Sequence, residues 1–489
     1  MLLNFSKRSM VQIYERNERQ KKRVQYTRDR FEYMKLRVEQ QEAALNQIKE
    51  SKLSKQERRL LEILEPYFEQ QRMMNACMRD EYATLGDVLE ENAAEHDSIL
   101  SWLGFTPEYA RQYHMLDERR DRIMNSDVRV IQVCYRIQYG DAIGNDILSI
   151  QRALDEEGIV TGIYSEHICD RLLEAGVAFP LDELPPLTAK DVIIFHPAVM
   201  NPFAARLPEL DCKVILRYHN ITPPEYFEPY DPNLAKRLAQ GLQEIRDMRP
   251  YVDYAMTDSE FNKQDLINMG YQCEMSVVPV LIPFSDYDQE PAGDVIAGYQ
   301  DEYQNILCIG RGAPNKKVED VLDAYSTYKK RYNPHSRLFL VGRYNDDPYV
   351  RKLREKIQKE EIPDVVFTGH ISFSEVLAYY RLSDLCICMS EHEGFCVPLL
   401  EAMYLHVPVL AYAAAAVPYT MGNAGILLQS KQADYVAKHM DRIMKSDLLR
   451  NAVLRRQRKR VAEMSYDTVK DRVLQSVQGV INSNPIVES

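Results

Sequence analysis

The feature of this sequence that most constrains its fold is an alternation of short apolar runs with amphipathic stretches. This pattern occurs twice. The first series comprises Val128–Tyr135, Ile159–Tyr164, Asp191–His196, Lys213–His219, Tyr254–Thr257 and Ser276–Val280. The second comprises Asn305–Gly310, Arg337–Gly342, Val365–Gly369, Leu385–Ser390, Val407–Tyr412 and Gly425–Gln429. Apolar runs separated by helices are typical of parallel sheets that are covered on both faces. The chain is therefore predicted to be α/β, with two doubly wound, Rossmann-like domains in series.

Changes in composition along the chain set the expected domain boundaries. We predict a helical arm over 1–125, a first Rossmann-like domain over 126–285, a linker over 286–303, a second Rossmann-like domain over 304–465, and a C-terminal helix and tail over 466–489. Ligands of doubly wound domains bind at the carboxyl ends of the strands. The functional site is therefore expected in a cleft between the two domains.

The arm has almost no strand signal. Apolar residues recur at every seventh position, at Val24, Phe31, Val38 and Leu45. Such a pattern predicts a partial coiled coil, through which the chain self-associates or binds a partner protein. A second helix is predicted from Ser54, with Glu57 completing a capping box. The arm is locally basic over residues 7–30, and two interpretations are open: a solvated helix face, or a surface for anionic lipid or an acidic partner.

Composition excludes several classes of protein. The formal net charge of −12 over 489 residues argues against a nucleic-acid-binding protein. We find no apolar window of about 18 residues that could span a membrane, and no signal peptide is apparent. The nine cysteines include no C-x-x-C pair, so neither a disulfide framework nor a zinc knuckle is indicated. We expect a cytoplasmic protein, with peripheral contact at the inner membrane face left open.

The most informative segment runs from Ser390 to Met403. Pro398 stands where a helix should begin, because proline is favoured at the first helical position. The unpaired amides of that first turn and the positive end of the helix dipole make an anion site. Glu393 precedes the helix and Glu401 lies in its first turn, so both carboxylates are expected to face one cleft. A sugar nucleotide would fit such a site, because it has a hydroxylated ring, a diphosphate and a hydroxylated ribose. For the pair of carboxylates alone the simpler interpretation is that Glu401 complements the helix dipole and Glu393 is a surface residue.

A second segment, from Cys308 to Lys317, ends the first strand of the second domain. It holds a glycine-rich turn with Arg311 and Lys316. An arginine fork and a lysine point charge can together place two cations on a diphosphate. An equally open interpretation of this segment is a solvated basic turn. The spacing of its glycines and lysines excludes a Walker loop.

The ordered series of these motifs resembles the retaining, GT-B-fold glycosyltransferases of family 4. In the second domain the resemblance follows Gly310-Arg311, Lys316, Val341-Gly342-Arg343, Phe367–His370, Glu393–Phe395, Glu401–Met403 and His406–Ala411. In the first domain it follows Gly140–Asp146 and Tyr218–Pro224. It covers residues 128–470 and implies a GT-B fold, in which the two domains face a cleft. The arm lies outside it.

The resemblance implies a role for each matching residue. Arg311 and Lys316 would bind the donor diphosphate, Glu393 would hold hydroxyls of the donor sugar, and His219 would lie near the transferred sugar. Donor contacts are further implied for Gly310, Gly369, His370, Ile371, Gly394, Phe395, Cys396, Val397 and Glu401. Among these, Glu401 would grip the ribose, and the backbone of residues 369–371 would meet the base. The loop that approaches the donor phosphate and the acceptor would comprise Gly140, Asp141, Gly144 and Asn145.

This sequence departs from the family pattern in two places. Residues Ala415 to Tyr419 stand where glycines followed by Val-Pro-Glu are usual, and Cys396 replaces the second glycine of Gly-Phe-Gly. The segment 466–482 is predicted to be a helix, and the resemblance implies that it crosses back to the first domain. A simple terminal amphipathic helix is an equally open interpretation.

The expected activity is a retaining hexosyltransferase. It would move a hexose from a UDP- or GDP-linked sugar to a glycan or lipid-linked acceptor, in the synthesis of surface polysaccharide or glycoconjugate. No cofactor and no obligatory metal are expected, since no D-x-D signature lies at a strand end. Two alternatives are a sugar-nucleotide epimerase or hydrolase on the same fold, and a weakly active or inactive assembly subunit of a polysaccharide-making complex.

Overall fold

The computed structural model describes residues 119–138 and 140–483. The predicted heptads, the basic run and the capping box at Ser54 lie outside these residues. Within the described range, residues 119–125 are helical and lead directly into the first strand of a sheet.

The first domain is built on a seven-stranded sheet in which every pairing is parallel. Its strands are β1 Val130–Ile137, β2 Thr161–Ile168, β3 Ala178–Pro180, β4 Val192–His196, β5 Lys213–Tyr218, β6 Tyr254–Thr257 and β7 Glu274–Val277. They lie in the order β3-β2-β1-β4-β5-β6-β7. The α-helices of this domain are α1 Ala142–Glu156, α2 Asp170–Glu174, α3 Pro232–Asp247 and α4 Glu260–Asn268.

The second domain repeats the plan with six parallel strands in the order β10-β9-β8-β11-β12-β13. They are β8 Gln304–Ile309, β9 Ser336–Val341, β10 Val365–Gly369, β11 Leu385–Cys388, β12 Val409–Tyr412 and β13 Ile426–Leu428. Its helices are α5 Gly293–Gly298, α6 Val318–Arg331, α7 Pro348–Lys359, α8 Phe373–Leu382, α9 Val397–Tyr404, α10 Val417–Met421, α11 Ala433–Lys445 and α12 Asp447–Glu463.

The prediction of two doubly wound, Rossmann-like domains is confirmed, because each sheet turns from one direction to the other beside its first strand. One strand was missed. β3 has only three residues and ends in proline, so it carries too little pattern to predict. Both sheets belong to one compact unit, in which the two domains contact each other.

The last helix, α13 Tyr466–Asn482, packs on the first domain. Its buried stripe joins the core formed by β1, α1 and β4, and consists of Val469, Val473, Val477 and Val480. Lys470 also lies 2.9 Å from a carboxylate oxygen of both Glu156 and Glu157 at the end of α1. The chain that leaves the second domain therefore closes the core of the first. No described helix combines the length and the apolar character that a membrane span requires.

Removal of two methyl groups from this stripe should destabilise the protein. We expect Val473→Ala to lower the free energy of unfolding by roughly 1–3 kcal/mol, because Val473 is fully buried. The control is Gln475→Ala, on the exposed side of the same helix, which should change it by less than about 0.5 kcal/mol. Denaturant unfolding measures both, and equal losses would contradict this packing.

Candidate functional site

The carboxyl ends of β8 and β11 bring the two predicted segments of the second domain together. Lys316 Nζ lies 2.5 Å from Oε1 of Glu393. Burial alone would lower the pKa of the Lys316 ammonium, but the charge of Glu393 and the neighbouring thiols raise this pKa above its ordinary value. The two groups therefore compensate each other in the absence of any ligand.

The turn after β8 depends on glycine. Gly310 has φ 137°, and a side chain at Gly342 would collide with the carbonyl oxygen of Gly310. This close approach of β8 and β9 leaves Arg311 at the tip of the turn. Arg311 is exposed and forms no hydrogen bond or ion pair with any other residue that the structure describes. Its guanidinium is therefore available to a ligand.

The loop that carries Glu393 leads into helix α9. The amide of Ala416 donates to the carbonyl of Glu393 over 3.3 Å, and the Thr420 hydroxyl donates to the carbonyl of Phe395. The helix begins after Cys396, whose φ is 74° and whose side chain does not cap the helix. No side chain caps the helix, Pro398 has no N–H, and the amide of Leu399 donates to the carbonyl of Cys396. The amides left for an anion at this helix start are therefore those that precede Pro398.

The second predicted carboxylate is placed differently. The hydroxyls of Tyr287 and Tyr380 donate to the two oxygens of Glu401 over 2.6 and 2.7 Å. Burial raises the pKa of Glu401, although both hydrogen bonds oppose this effect. Glu393, by contrast, lines a cavity of about 20 Å³ together with Lys316 and Arg311. That is room for about one water molecule.

Two thiols lie beside this cavity. Cys388 Sγ is 3.9 Å from Cys396 Sγ and 3.3 Å from the hydroxyl oxygen of Ser390. The hydrogen bond from Cys396 lowers the pKa of Cys388 to about 7, although burial opposes it. The described cysteines are all free thiols.

The predicted base-contacting backbone follows β10. Gly369 has φ 72° and forms an isolated bridge with Gly342. His370 is exposed, and Ile371 packs against the core of the second domain. These residues lie at the same carboxyl edge of the sheet as Arg311.

The predicted loop of the first domain forms the start of α1. The Asp141 carboxylate accepts hydrogen bonds from the amides of Ile143 and Gly144, so it caps the helix. The amide of Gly140 donates to Oδ1 of Asn145 over 3.3 Å. A side chain at Gly144 would collide with the backbone at the end of β1. Glycine at this position therefore permits the tight connection from strand to helix.

His219 lies in the middle of a buried chain of hydrogen bonds. Its Nε2 is 3.2 Å from Nδ1 of His196, and its Nδ1 is 3.0 Å from Oδ2 of Asp258. The other nitrogen of His196 is 3.1 Å from Oε1 of Gln132. The Gln132 amide nitrogen donates in turn to the carbonyl of Ile147.

The direction of donation follows from the end of this chain. Oε1 of Gln132 can only accept, so His196 donates to it from Nε2. Burial and the positive charge of Arg217 lower the pKa of His196, which is therefore neutral and accepts at Nδ1. The Nε2 atom of His219 then donates to His196.

A buried arginine lies beside this chain of hydrogen bonds. Arg217 is fully buried, donates to both oxygens of Asp146 over 2.9 and 3.2 Å, and lies 2.9 Å from Oδ1 of Asp258. The guanidinium thus faces two carboxylates, which makes its burial tolerable. Both nitrogens of His219 are engaged inside the first domain.

His219 meets the second domain through its backbone. A side chain at Gly394 would collide with the carbonyl oxygen of His219. The hydroxyl of Ser259 donates to the carbonyl of Gly394 over 2.9 Å. The structure therefore brings His219 next to the loop that carries Glu393.

Several residues of this arrangement escaped the analysis of the sequence, namely Gln132, His196, Arg217, Asp258 and Ser259. Three of them could have been predicted from their position at the end of a strand. His196 ends β4, and Asp258 and Ser259 directly follow β6, so all three lie at the carboxyl edge of the sheet. No local pattern distinguishes Gln132 and Arg217 from other strand residues.

Comparison with known proteins relates the second domain to a known family. Residues 295–460 match the family model described as "Glycosyl transferases group 1". Residues 295–460 form a glycosyl transferases group 1 domain. The O-antigen chain mannosyltransferase B of Escherichia coli is 25% identical over 270 residues, which are 53% of this chain and 69% of that protein. The alpha-monoglucosyldiacylglycerol synthase of Streptococcus pneumoniae is 29% identical over 37% of this chain, and the match spans only 41% of that synthase.

Solved structures show the same fold over a longer range. The Anabaena HepE structure in complex with UDP and glucose aligns with a TM-score of 0.57 and 16% identity, over 72% of this chain and 99% of HepE. WaaG, a glycosyltransferase involved in lipopolysaccharide biosynthesis, aligns with a TM-score of 0.55 and 15% identity, over 71% of this chain and 99% of WaaG. The GT-B fold predicted from the resemblance is confirmed.

Two turns of the second domain are left-handed where the resemblance implies glycine. Ala415 has φ 47°, and Cys396 has φ 74°. Both residues adopt the left-handed conformation that glycine accepts without steric cost. The chain therefore forms these turns without the residue that favours them.

The contact at Gly394 should tolerate no side chain. We expect Gly394→Ala to lower the free energy of unfolding by roughly 1–3 kcal/mol, because its new methyl group meets rigid backbone of the other domain. Small-angle scattering should also show a larger radius of gyration. The control is Gly293→Ala, where a side chain meets open space. An unchanged scattering profile and stability for Gly394→Ala would contradict the contact.

Proposed function

We propose that this protein is a retaining glycosyltransferase that moves a hexose from a UDP- or GDP-linked sugar to a glycan or lipid-linked acceptor. The observation that carries the proposal is the grouping of Lys316, Glu393 and the unoccupied guanidinium of Arg311 at the uncapped start of α9. A diphosphate and a hydroxylated ring are the chemical groups that such a set can hold together.

The relatives support the donor class. HepE was solved with UDP and glucose, and the Escherichia coli relative is a mannosyltransferase. The UDP of the HepE structure supports the uridine class, and the guanosine class stays part of the proposal as the alternative donor. The names of the O-antigen chain mannosyltransferase and of WaaG, which is involved in lipopolysaccharide biosynthesis, support surface polysaccharide or glycoconjugate as the product.

Charge stabilisation of the leaving group is the proposed source of catalysis. Arg311, Lys316 and the amides at the start of α9 would bind the diphosphate as its bond to the sugar breaks. Preorganised contacts of this kind contribute several kcal/mol each, at about 3 kcal/mol for one donor. The acceptor hydroxyl would attack the sugar from the face that the diphosphate leaves, and the diphosphate would accept its proton. Attack from the same face retains the configuration of the sugar. We expect no obligatory metal.

Glu393 and Glu401 would bind the two hydroxylated ends of the donor. Glu393 has to exchange Lys316 for sugar hydroxyls, which frees the ammonium for the diphosphate. Glu401 is held by two tyrosine hydroxyls, so a contact with ribose requires one of these bonds to be exchanged. The backbone of residues 369–371 would receive the base.

Donor entry requires the two domains to separate. The cavity at Glu393 holds about 20 Å³ in this structure, far less than a nucleotide sugar fills. The contacts of Gly394 with His219 and Ser259 close it from the side of the first domain. Opening and closing of GT-B domains about their linker would admit the donor and then exclude water.

A pocket in the first domain is the proposed acceptor site. It has a volume of about 400 Å³ and lies at the carboxyl ends of β1 and β2. Arg136, Glu166 and His167 contribute polar groups, and Leu173 contributes an apolar wall. Gln138, just before the predicted phosphate loop, also lines it. Such a mixed lining suits a sugar acceptor.

Loss of either charged group should abolish donor chemistry. We expect Glu393→Gln and Arg311→Ala each to lower kcat/KM for donor turnover by about 100-fold or more, because each removes a contact that strengthens in the transition state. Hydrolysis and thermal-shift assays with a panel of UDP- and GDP-sugars measure this.

The matched controls are Glu355→Gln and Arg455→Ala, two exposed positions away from the site. A protein that is stabilised by no nucleotide sugar would overturn the proposal and favour a non-catalytic assembly subunit. Net inversion at the sugar carbon without transfer would favour an epimerase.

Acceptor binding should be separable from donor binding. We expect His167→Ala to raise the KM for an alkyl glycoside acceptor several-fold and to leave donor hydrolysis unchanged, because His167 lines the first-domain pocket. His335→Ala is the control, since His335 also packs edge-on against a tyrosine but lies in the second domain. Equal effects on hydrolysis and transfer would refute this location of the acceptor.

A further inference from the structure

Three groups that commonly bind metals converge beside the site. The Sγ atoms of Cys388 and Cys396 and a carboxylate oxygen of Glu393 all lie within 4.8 Å of one another. Cys388 is the last residue of β11, and the other two belong to the loop before α9. The strand end and the loop are fixed by backbone hydrogen bonds, so the three groups are held together by rigid elements.

The spacing of the two sulfur atoms suits a tetrahedral cation. Zinc binds thiolate sulfur at about 2.3 Å, so two tetrahedral thiolate ligands lie about 3.8 Å apart. The observed separation is 3.9 Å. A disulfide needs about 2.05 Å, which these positions do not provide. All three ligands line the cavity of about 20 Å³, which is the size for one small occupant.

We propose that Cys388, Cys396 and Glu393 bind one thiophilic divalent cation, of the class of Zn²⁺ or Cd²⁺, through their two sulfur atoms and one carboxylate oxygen. Two thiolates and a carboxylate are a ligand set that this class of cation prefers over Mg²⁺ or Ca²⁺. On binding, both thiols release their protons to solvent, and the Glu393 oxygen exchanges the Lys316 ammonium for the cation.

The other described cluster of this kind does not suit a cation. Asp146, His196 and His219 also converge, but His196 and His219 use both ring nitrogens in hydrogen bonds. The Asp146 carboxylate already binds the buried guanidinium of Arg217. A divalent cation there would have to displace these fully buried hydrogen bonds.

The cation site predicts a consequence for the donor, and this step alone rests on the proposed function. Glu393 cannot bind a cation and the hydroxyls of a donor sugar at once. A bound cation should therefore compete with the nucleotide sugar. The site would make the enzyme sensitive to free zinc.

The test is cadmium binding by the full chain, kept reduced with a phosphine. Titration is followed by the ultraviolet thiolate-to-cadmium charge-transfer band. Cys396→Gly removes one ligand at a left-handed position that glycine favours, so this variant should fold. We expect it and Cys388→Ser to bind one Cd²⁺ fewer per chain, or to bind it about 100-fold more weakly.

Two controls keep both thiols of the site. Cys212→Ser removes a half-buried thiol of the first domain, and Ala415→Gly relieves a neighbouring left-handed turn. Both should bind cadmium as the unmodified chain does. Equal cadmium binding by the unmodified chain, Cys396→Gly and Cys388→Ser would overturn the cation site.

A second readout separates this proposal from the proposed function. Zinc should raise the KM for the nucleotide sugar in the unmodified chain and change it far less in Cys396→Gly. Cadmium binding that depends on both cysteines, in a protein that binds no nucleotide sugar, would overturn the donor assignment and leave the cation site in place. Donor binding without cysteine-dependent cadmium binding would overturn the cation site alone.

Discussion

The buried guanidinium of Arg217 is the interaction on which the geometry of the first domain depends. It extends from β5, binds Asp146 of α1 and Asp258 after β6, and donates to the carbonyls of Val278 and Pro279 after β7. Four elements are thereby fixed at the carboxyl edge of one sheet. The arrangement leaves Asp258 free to hold His219, whose carbonyl contacts the second domain. Removal of either carboxylate would leave an uncompensated buried cation, which typically destabilises a protein strongly.

The second domain relies on backbone shape at the same edge. Left-handed residues occur at Lys317, Cys396 and Ala415, each next to a strand end or at a helix start. For a residue other than glycine, this left-handed backbone conformation costs about 1–2 kcal/mol. Such costs are tolerated where the surrounding structure fixes the turn and where the turn serves a function.

The sequence predicted the two sheets well, because buried parallel strands have a pattern that is local and repeated. It also brought Lys316 and Glu393 to one edge, since strands β8 and β11 are neighbours in any doubly wound order of this kind. It could not predict the partners of Glu401 or the chain from Gln132 to His219. These contacts join residues 21 to 114 positions apart and depend on side-chain directions that no periodicity encodes. The orientation of Glu401 toward Tyr287 and Tyr380 is therefore a result of tertiary packing.

Through the Lys316–Glu393 ion pair, the site can discriminate between an intact nucleotide sugar and the nucleotide alone. Each group satisfies the other when no ligand is present. Under the proposed assignment, a diphosphate that binds Lys316 withdraws the only cation that Glu393 contacts among the described residues. A nucleoside diphosphate leaves that carboxylate without compensation, whereas a nucleotide sugar supplies hydroxyls to it. The ion pair therefore favours the complete donor over the product, and the same exchange at Glu393 makes room for a competing cation.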